Sequence, residues 1–502
     1  VPRLSTPRVS QLLFLAIFVT LFIRTDYRGS DEIDAAVNAF FRADPLVLAN
    51  VILAAREFTP LLLPAVAVTL ATIVLGRFFC GWVCPLGTIL DLLTPRGGKP
   101  GAPPLLRGDA PRWILLTLLV SSLFGVQYAG LLDPLAILTR GLTFVVYPLI
   151  GDAGRGVWRG LSVLGDGRDI LEPAWRVIRD QLLPYRQTAW PLAPLSAAIL
   201  FGIILLERVE TRFWCRRLCP LGALLGILST LSVIKRLPKR LCSDCGACAT
   251  LCPTSFDQEI LSTPECILCM ECARHCPSRR VRFSLSPPWG GEERFLPQRR
   301  VLLGSLLGGF TLSRVVRFRS PDREARLLRP PGVRDERAFL DRCVRCGECM
   351  KVCVRSALYP ALTQGGVESL YTPVVIPRLG YCEYNCTLCG QVCPTGAIPR
   401  LPVEAKRREV IGIAVVDRSH CLPHARKVDC IVCEEHCPIP TKAIRVKRVI
   451  ETNDRGEEVE LHQPFVVEDL CNGCGICEHV CPLEGKAAIE VFRGGKSPPI
   501  GS

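Results

Sequence analysis

Most of the 28 cysteines of this 502-residue chain fall in six runs of four. Cys242, Cys245, Cys248 and Cys252 read C-x2-C-x2-C-x3-C and are followed by Pro253. Cys266, Cys269, Cys272 and Cys276, with Pro277, repeat the run, and Cys471, Cys474, Cys477 and Cys481, with Pro482, repeat it again. In this spacing three thiolates on one tight loop reach three irons of a cubane, and the fourth leaves on the next helix to complete a neighbouring cubane. Structural zinc uses paired C-x2-C knuckles separated by a longer loop, which does not match. Disulfide frameworks belong to short secreted domains, and runs this tight do not pair neatly. The first two runs are therefore read as crossed: Cys242, Cys245 and Cys248 with Cys276, and Cys266, Cys269 and Cys272 with Cys252. Three further runs are less regular. Cys343, Cys346, Cys349 and Cys353 have Val354 in place of proline. Cys382, Cys386, Cys389 and Cys393 open with x3, and eight residues separate Cys421 from Cys430, Cys433 and Cys437. Six runs imply six [4Fe-4S] clusters.

The rest of the composition points to a bilayer. Hydrophobic residues make up 49% and the mean hydropathy is +0.29, values uncommon in soluble domains. Val9 to Ile23, Phe58 to Gly76, Trp113 to Leu132 and Gln187 to Leu206 are charge-free and read as four spans. No small-residue cleavage site follows the first, so it is expected to stay as an anchor. The 77–112 loop carries five basic and two acidic residues, and the 207–240 loop eight and two. Both are expected in the cytoplasm, with the Asp133 to Tyr185 loop, six of each sign, outside. The net charge of +14 thus reads as topology, and no nucleic-acid partner is expected.

A repeat follows the second and fourth spans. Residues 77–86 read Arg-Phe-Phe-Cys-Gly-Trp-Val-Cys-Pro-Leu, and 212–221 read Arg-Phe-Trp-Cys-Arg-Arg-Leu-Cys-Pro-Leu. A parallel repeat would bring Cys80, Cys84, Cys215 and Cys219 together at the cytoplasmic face. Four thiols there suit a seventh metal site or thiol redox chemistry; the bland alternative is packing of small side chains. No histidine precedes His275 and no C-x-x-C-H occurs, which excludes histidine-held haem in the span region and disfavours covalent haem.

The first 290 residues resemble the NapH-type membrane subunit of a quinol dehydrogenase, in span count, paired C-x3-C-P motifs and a following two-cluster segment. Residues from about 295 resemble the NapG/MauM-type four-cluster ferredoxin subunit, including its irregular second and third runs. The resemblance implies a natural fusion with a multi-domain fold: an α-helical membrane domain of four to five spans plus α+β bacterial-ferredoxin-like domains. The divisions are 1–237 (membrane), 238–285 (two clusters), 286–334 (linker), 335–492 (four clusters) and 493–502 (tail). It also implies that Cys343, Cys346 and Cys349 pair with Cys481, and Cys471, Cys474 and Cys477 with Cys353. Cys382, Cys386 and Cys389 would then pair with Cys437, and Cys421, Cys430 and Cys433 with Cys393.

Function follows from the same resemblance. Quinol from the membrane quinone pool would be oxidised in the bundle and electrons passed to a periplasmic cytochrome or reductase. Arg56, Glu57 and Asp133, ionisable groups at membrane depth, are the quinol-site candidates, against the bland reading of an interfacial ion pair and a helix cap. Gln298-Arg299-Arg300 ahead of a charge-free stretch to Ser313 resembles a twin-arginine signal, which would carry the second cluster unit to the periplasm. Six basic residues between Arg314 and Arg329 oppose that. Two other readings stand beside it. One is a cytoplasmic membrane-anchored polyferredoxin wiring soluble donors to a membrane complex; the other is a metal-handling assembly factor.

Overall fold

The computed structural model describes residues 6–33, 35–93, 110–162, 168–185, 189–237, 252–254, 265–277, 279–285, 299–315, 325–362, 364–452 and 456–495. Cys242, Cys245 and Cys248 lie outside them. The chain is multi-domain: a helical bundle and two cysteine-rich units.

Two helices, Thr6–Arg24 and Pro134–Leu161, are long and apolar enough to cross a membrane. Shorter apolar helices cover Pro45–Ala55, Pro60–Leu75, Ala110–Leu123, Ala193–Leu206, Pro220–Ser229 and Leu302–Thr311. The charge-free runs thus appear as helices, two of them shortened; the run from Gln187 becomes helical only at Ala193. The run from Trp113 ends at Leu123, where the chain turns at Gly125 in a left-handed conformation. The Asp133 to Tyr185 stretch, expected as a loop, is instead mostly helical: Pro134–Gly141, a π-helical turn at Leu142–Val146, then Tyr147–Ser162 and Arg168–Gln181. Its charges misled because amphipathic helices carry most of them on exposed faces, as at Asp152, Arg159, Arg176 and Arg179. Arg140 is buried and donates to the carbonyls of Gly130 and Leu131.

Four helices of the bundle begin with the same two residues, proline and leucine, after a capping side chain. The units are Asp44-Pro45-Leu46, Cys84-Pro85-Leu86, Asp133-Pro134-Leu135 and Cys219-Pro220-Leu221. Proline suits the first helical position because its missing N–H would be unpaired there anyway. The Asp44 carboxylate accepts from the Leu46 N–H at 2.7 Å, and Asp133 from Ala136 at 2.8 Å. The Cys219 sulfur accepts from the Gly222 N–H at 3.3 Å in the same role. Side chains such as Phe18, Phe41, Leu46, Leu90 and Leu135 fill the space between these helices and are fully buried.

The two cysteine units dock at opposite ends of the bundle. The first contributes the Ile234–Leu237 and Arg282–Leu285 antiparallel pair and the loop from Cys266. Trp82 Nε1 donates to the Leu268 carbonyl at 3.0 Å, and Arg8 pairs with Glu271 at 2.9 Å. The second unit meets the far end of the same first helix, where Lys351 donates to the carbonyls of Phe22 and Thr25. Arg8 and Phe22 are roughly 21 Å apart along that helix at 1.5 Å per residue. The Arg299–Val315 helix lies along Ala110–Leu123, with Trp113 on Gly304, Val120 on Gly309, and Phe124 edge-on to Phe310 at 5.5 Å.

The second unit is built from three two-stranded antiparallel sheets: Leu358–Pro360 with Pro373–Val375, Ile413–Val416 with Ile489–Phe492, and the long hairpin Ile444–Thr452 with Glu458–Val466. A buried ion pair, Arg329 to Glu336 at 2.6 Å, closes its N-terminal turn. Arg329 also donates to Thr372 and the Pro373 carbonyl, so no charge is left bare.

Candidate redox centres

The regular cysteine loops share one backbone solution. In Cys343-Val344-Arg345-Cys346-Gly347, both Arg345 and Gly347 have positive φ. The same two places are taken by Gly473 and Gly475 in the last run, and by Leu268 and Met270 in the second. Alternating hand in this way turns successive N–H groups inward and forms a concavity for an anion. Non-glycine residues held there carry strain that an anionic cluster would offset.

The thiols of the second unit gather in four groups of four. Cys343, Cys346, Cys349 and Cys393 line one cavity. Cys382, Cys386 and Cys389 are grouped with Cys353. Cys421, Cys430, Cys433 and Cys481 line a second cavity. Cys471 and Cys474 have Cys437 as their partner from the neighbouring run, with Cys477 beside them. Neighbouring runs therefore exchange their fourth cysteine, the first with the second and the third with the fourth. This corrects the pairing of first with fourth and second with third. The reason is local packing. The Glu348–Lys351 and Leu388–Gln391 helices lie together, as do Val432–Glu435 and Ile476–Val480. In the first unit Cys266 and Cys269 have Cys252 as neighbour, as the crossed reading requires.

The donor chemistry fits iron–sulfur clusters. Among the described residues no three His, Cys, Asp or Glu side chains close around a single metal ion; the thiols instead ring cavities. Backbone N–H groups reach the sulfurs: Ala357 to Cys353 at 3.2 Å, Ile398 to Cys393 at 3.4 Å, Ala488 to Cys481 at 3.4 Å. Burial and crowding by other cysteines push the free thiols up, Cys386, Cys433 and Cys474 to about 12 and Cys421 to about 11. Thiolates would need the charge of bound iron to form here. Lys406, buried beside Cys382, adds a fixed positive charge. The groups also adjoin one another, since the Cys382 N–H donates to the Cys474 carbonyl at 2.9 Å. Cys346 packs into the core of the helical bundle.

The bundle's own four cysteines do converge. Cys80, Cys84, Cys215 and Cys219 are mutual neighbours at the end that holds the first unit. Two buried arginines frame them with crossed contacts. Arg77 Nε donates to the Cys80 sulfur at 3.3 Å and Arg77 Nη2 to the Cys215 carbonyl at 3.3 Å. Arg212 reciprocates to the Cys80 carbonyl at 3.2 Å and is bound by Asp91 at 2.8 Å. Arg212 also faces Cys269, so it stands between the thiols and the first unit. Each arginine opens its copy of the repeat, a signal present in the sequence but not singled out.

The quinol-site candidates lie at the other end. Glu57 is exposed and pairs with Arg342 of the second unit. Arg56 ends the Pro45–Ala55 helix in a left-handed conformation. Asp133 is buried against Asp44, whose facing carboxyl group the sequence reading passed over.

The comparisons agree with this chemistry. A family described as "4Fe-4S binding domain" matches residues 58–103 and 189–239, and a second of the same description matches 464–484. The ferredoxin-type protein NapG of Escherichia coli is 39% identical over 167 residues, which cover 33% of this chain and 70% of that protein. The methylamine utilization ferredoxin-type protein MauM of Paracoccus denitrificans is 39% identical over 189 residues, 37% of this chain and 80% of that protein. A putative electron transport protein of Escherichia coli, YccM, is 30% identical over 236 residues, 46% of this chain and 57% of YccM. No solved structure matches. The chain belongs to the NapG/MauM family of ferredoxin-type, iron–sulfur electron-transfer proteins.

Proposed function

We propose that this chain is a membrane-bound quinol dehydrogenase that joins a NapH-like bundle (1–237) to a NapG-like unit (335–492) and passes electrons to a periplasmic redox partner. The observation that carries the reading is the docking of the second unit on the apolar bundle, with Cys346 inside the bundle's core. Electrons leaving the bundle meet a cysteine-held centre at once. Six [4Fe-4S] clusters would be held by the six runs, and they supply one-electron redox chemistry. The side chains bind, orient and exclude water. The four bundle cysteines would hold a seventh metal centre, for which Arg77 and Arg212 supply compensating charge.

The opposite placement of the two units supports an inner-membrane protein, with 238–285 cytoplasmic and the second unit periplasmic. The Arg299–Val315 helix, lying along Ala110–Leu123, would be the crossing between them. The test is anaerobic purification into nanodiscs, followed by addition of a reduced quinol. Bleaching of the cluster absorbance is expected. No bleaching, with clusters intact, moves the reading to a polyferredoxin fed by soluble donors. Reporters fused after Ser502 check the side, and a cytoplasmic signal overturns the periplasmic partner. Replacing Cys80, Cys84, Cys215 and Cys219 by serine should remove one metal centre and leave the ferredoxin-type signals; unchanged metal content ends the seventh-site reading.

A further inference from the structure

A small cleft, open to solvent at its mouth, lies where the bundle meets the second unit. Its walls include Asp26, Thr143, Tyr147, Tyr185, Trp190 and Cys353. Three observations set it apart from packing gaps. First, it is aromatic on the sides and carries several polar groups, Asp26, Thr143, Lys351 and Ser356, with the Lys351 ammonium facing Asp26. Asp26 Oδ2 accepts from the Tyr147 hydroxyl at 2.9 Å and from the Tyr185 N–H at 3.3 Å. Second, Thr143, which lines this wall, is 3% exposed and its buried hydroxyl has no hydrogen-bond partner, a polar group left unsatisfied. Third, Cys353 forms part of the wall and belongs to the group of Cys382, Cys386 and Cys389. Nearby, the Tyr147–Ser162 and Arg168–Gln181 helices expose Leu149, Ile150, Val157 and Val177, a surface suited to an apolar tail.

We infer that this cavity is the quinol site, with Cys353's cluster as the electron acceptor and Asp26 as the proton acceptor. The inference rests on the quinol-dehydrogenase reading and gives it a location. Arg56, Glu57 and Asp133 do not line the cavity. One quinol hydroxyl hydrogen-bonds Thr143, and the other faces the Asp26 carboxylate. Oxidation of one quinol to quinone releases two electrons and two protons. The electrons leave singly to the [4Fe-4S] clusters of the second unit, beginning at the cysteine in the wall. Each proton goes to Asp26 and then to water at the mouth before the next one follows. Electrons then enter directly on the side of the second unit and need no path through the bundle from the Cys80 end.

The test uses the whole chain in nanodiscs with an azidoquinone photolabel. Label is expected on peptides spanning 143–150 or 183–190, at least fivefold above other peptides. Thr143→Phe, which fills the cavity, should cut labelling at least fivefold. Asp26→Asn should keep labelling within twofold and slow quinol-driven bleaching at least tenfold, since it retains shape and loses the base. Glu57→Gln should change neither by more than twofold. Label concentrated elsewhere, or Asp26→Asn bleaching at the wild-type rate, overturns the site. Wild-type protein that labels in the cavity but is not bleached by quinol overturns the dehydrogenase reading and leaves a quinone-binding cavity.

Discussion

The two ends of the bundle receive their cysteine units by the same geometry and differ in what lies behind the contact. At one end Gly81 lies under the Ile267 carbonyl; a β-carbon there would sit 2.1 Å from that oxygen. At the other, Gly130 lies under the Val344 carbonyl, where a β-carbon would sit at 2.0 Å. Ile267 and Val344 occupy the same place in their loops, one residue after the first cysteine. Arginine or tryptophan then fixes the loop, Trp82 to the Leu268 carbonyl and Arg140 to the Arg345 carbonyl at 3.2 Å. Behind Gly81 stand four thiols and two guanidinium groups; near Gly130 stand two carboxyl groups. The docking device is thus generic, and the chemistry is set by which residue caps the helix that follows. Cysteine caps bring four thiols together at one end, and aspartate caps bring two carboxyl groups together at the other.

This contrast can be broken at either glycine, with the largest effect expected at Gly130. Gly130→Val should displace the second unit and cut quinol-driven bleaching at least tenfold with iron content unchanged. Gly81→Val should leave bleaching within about twofold, measured by stopped flow. Equal losses would put the two ends in series and abolish the distinction. Next in size is Arg212→Gln. It strips Asp91 of a partner that is fully buried, and should destabilise the bundle by on the order of 3 kcal/mol in chemical unfolding. Asp44→Ala should cost about 1 kcal/mol through the lost cap. Asp44→Asn should come out near neutral, because it keeps the cap and removes one of two facing carboxyls. If Asn costs as much as Ala, the carboxyl pair is held by something other than capping. The smallest effect belongs to the loops. Met270→Gly should relieve its positive φ and stabilise the first unit by about 1 kcal/mol, read from protection against proteolysis.

The cysteine runs were legible because ligand spacing is local: one tight turn fixes three thiols whatever the rest of the chain does. Their partners were not, because the fourth cysteine is assigned by which helix packs on which. Here Leu388–Gln391 settled beside Glu348–Lys351, against the pairing drawn from resemblance. The long charge-free runs gave most apolar helices. Pro134–Ser162 escaped because Arg140, Asp152, Arg155 and Arg159 broke the run, although Arg140 is buried among carbonyls. The proline-leucine starts show a third case. The two cysteine copies stood out and the two aspartate copies did not, since an aspartate before proline reads as an ordinary cap. The cavity beside Cys353 draws its walls from Asp26, Thr143, Tyr147, Tyr185, Trp190 and Lys351, and no local pattern joins them.

The polar contacts that seat the second unit mostly run from a side chain to a main-chain carbonyl, among them Lys351 to Phe22 and Thr25, Asn38 to Val392, and Arg345 to Gln127. As a complex of separate proteins such a face would need enough area to overcome the entropy of association. In one chain the partner is present at an effective concentration set by its tether, of millimolar order for short flexible linkers. Stoichiometry is fixed at one to one, docking becomes a first-order event, and dilution cannot part the donor from its acceptor. The face is then free to be shaped for speed of electron passage instead of affinity.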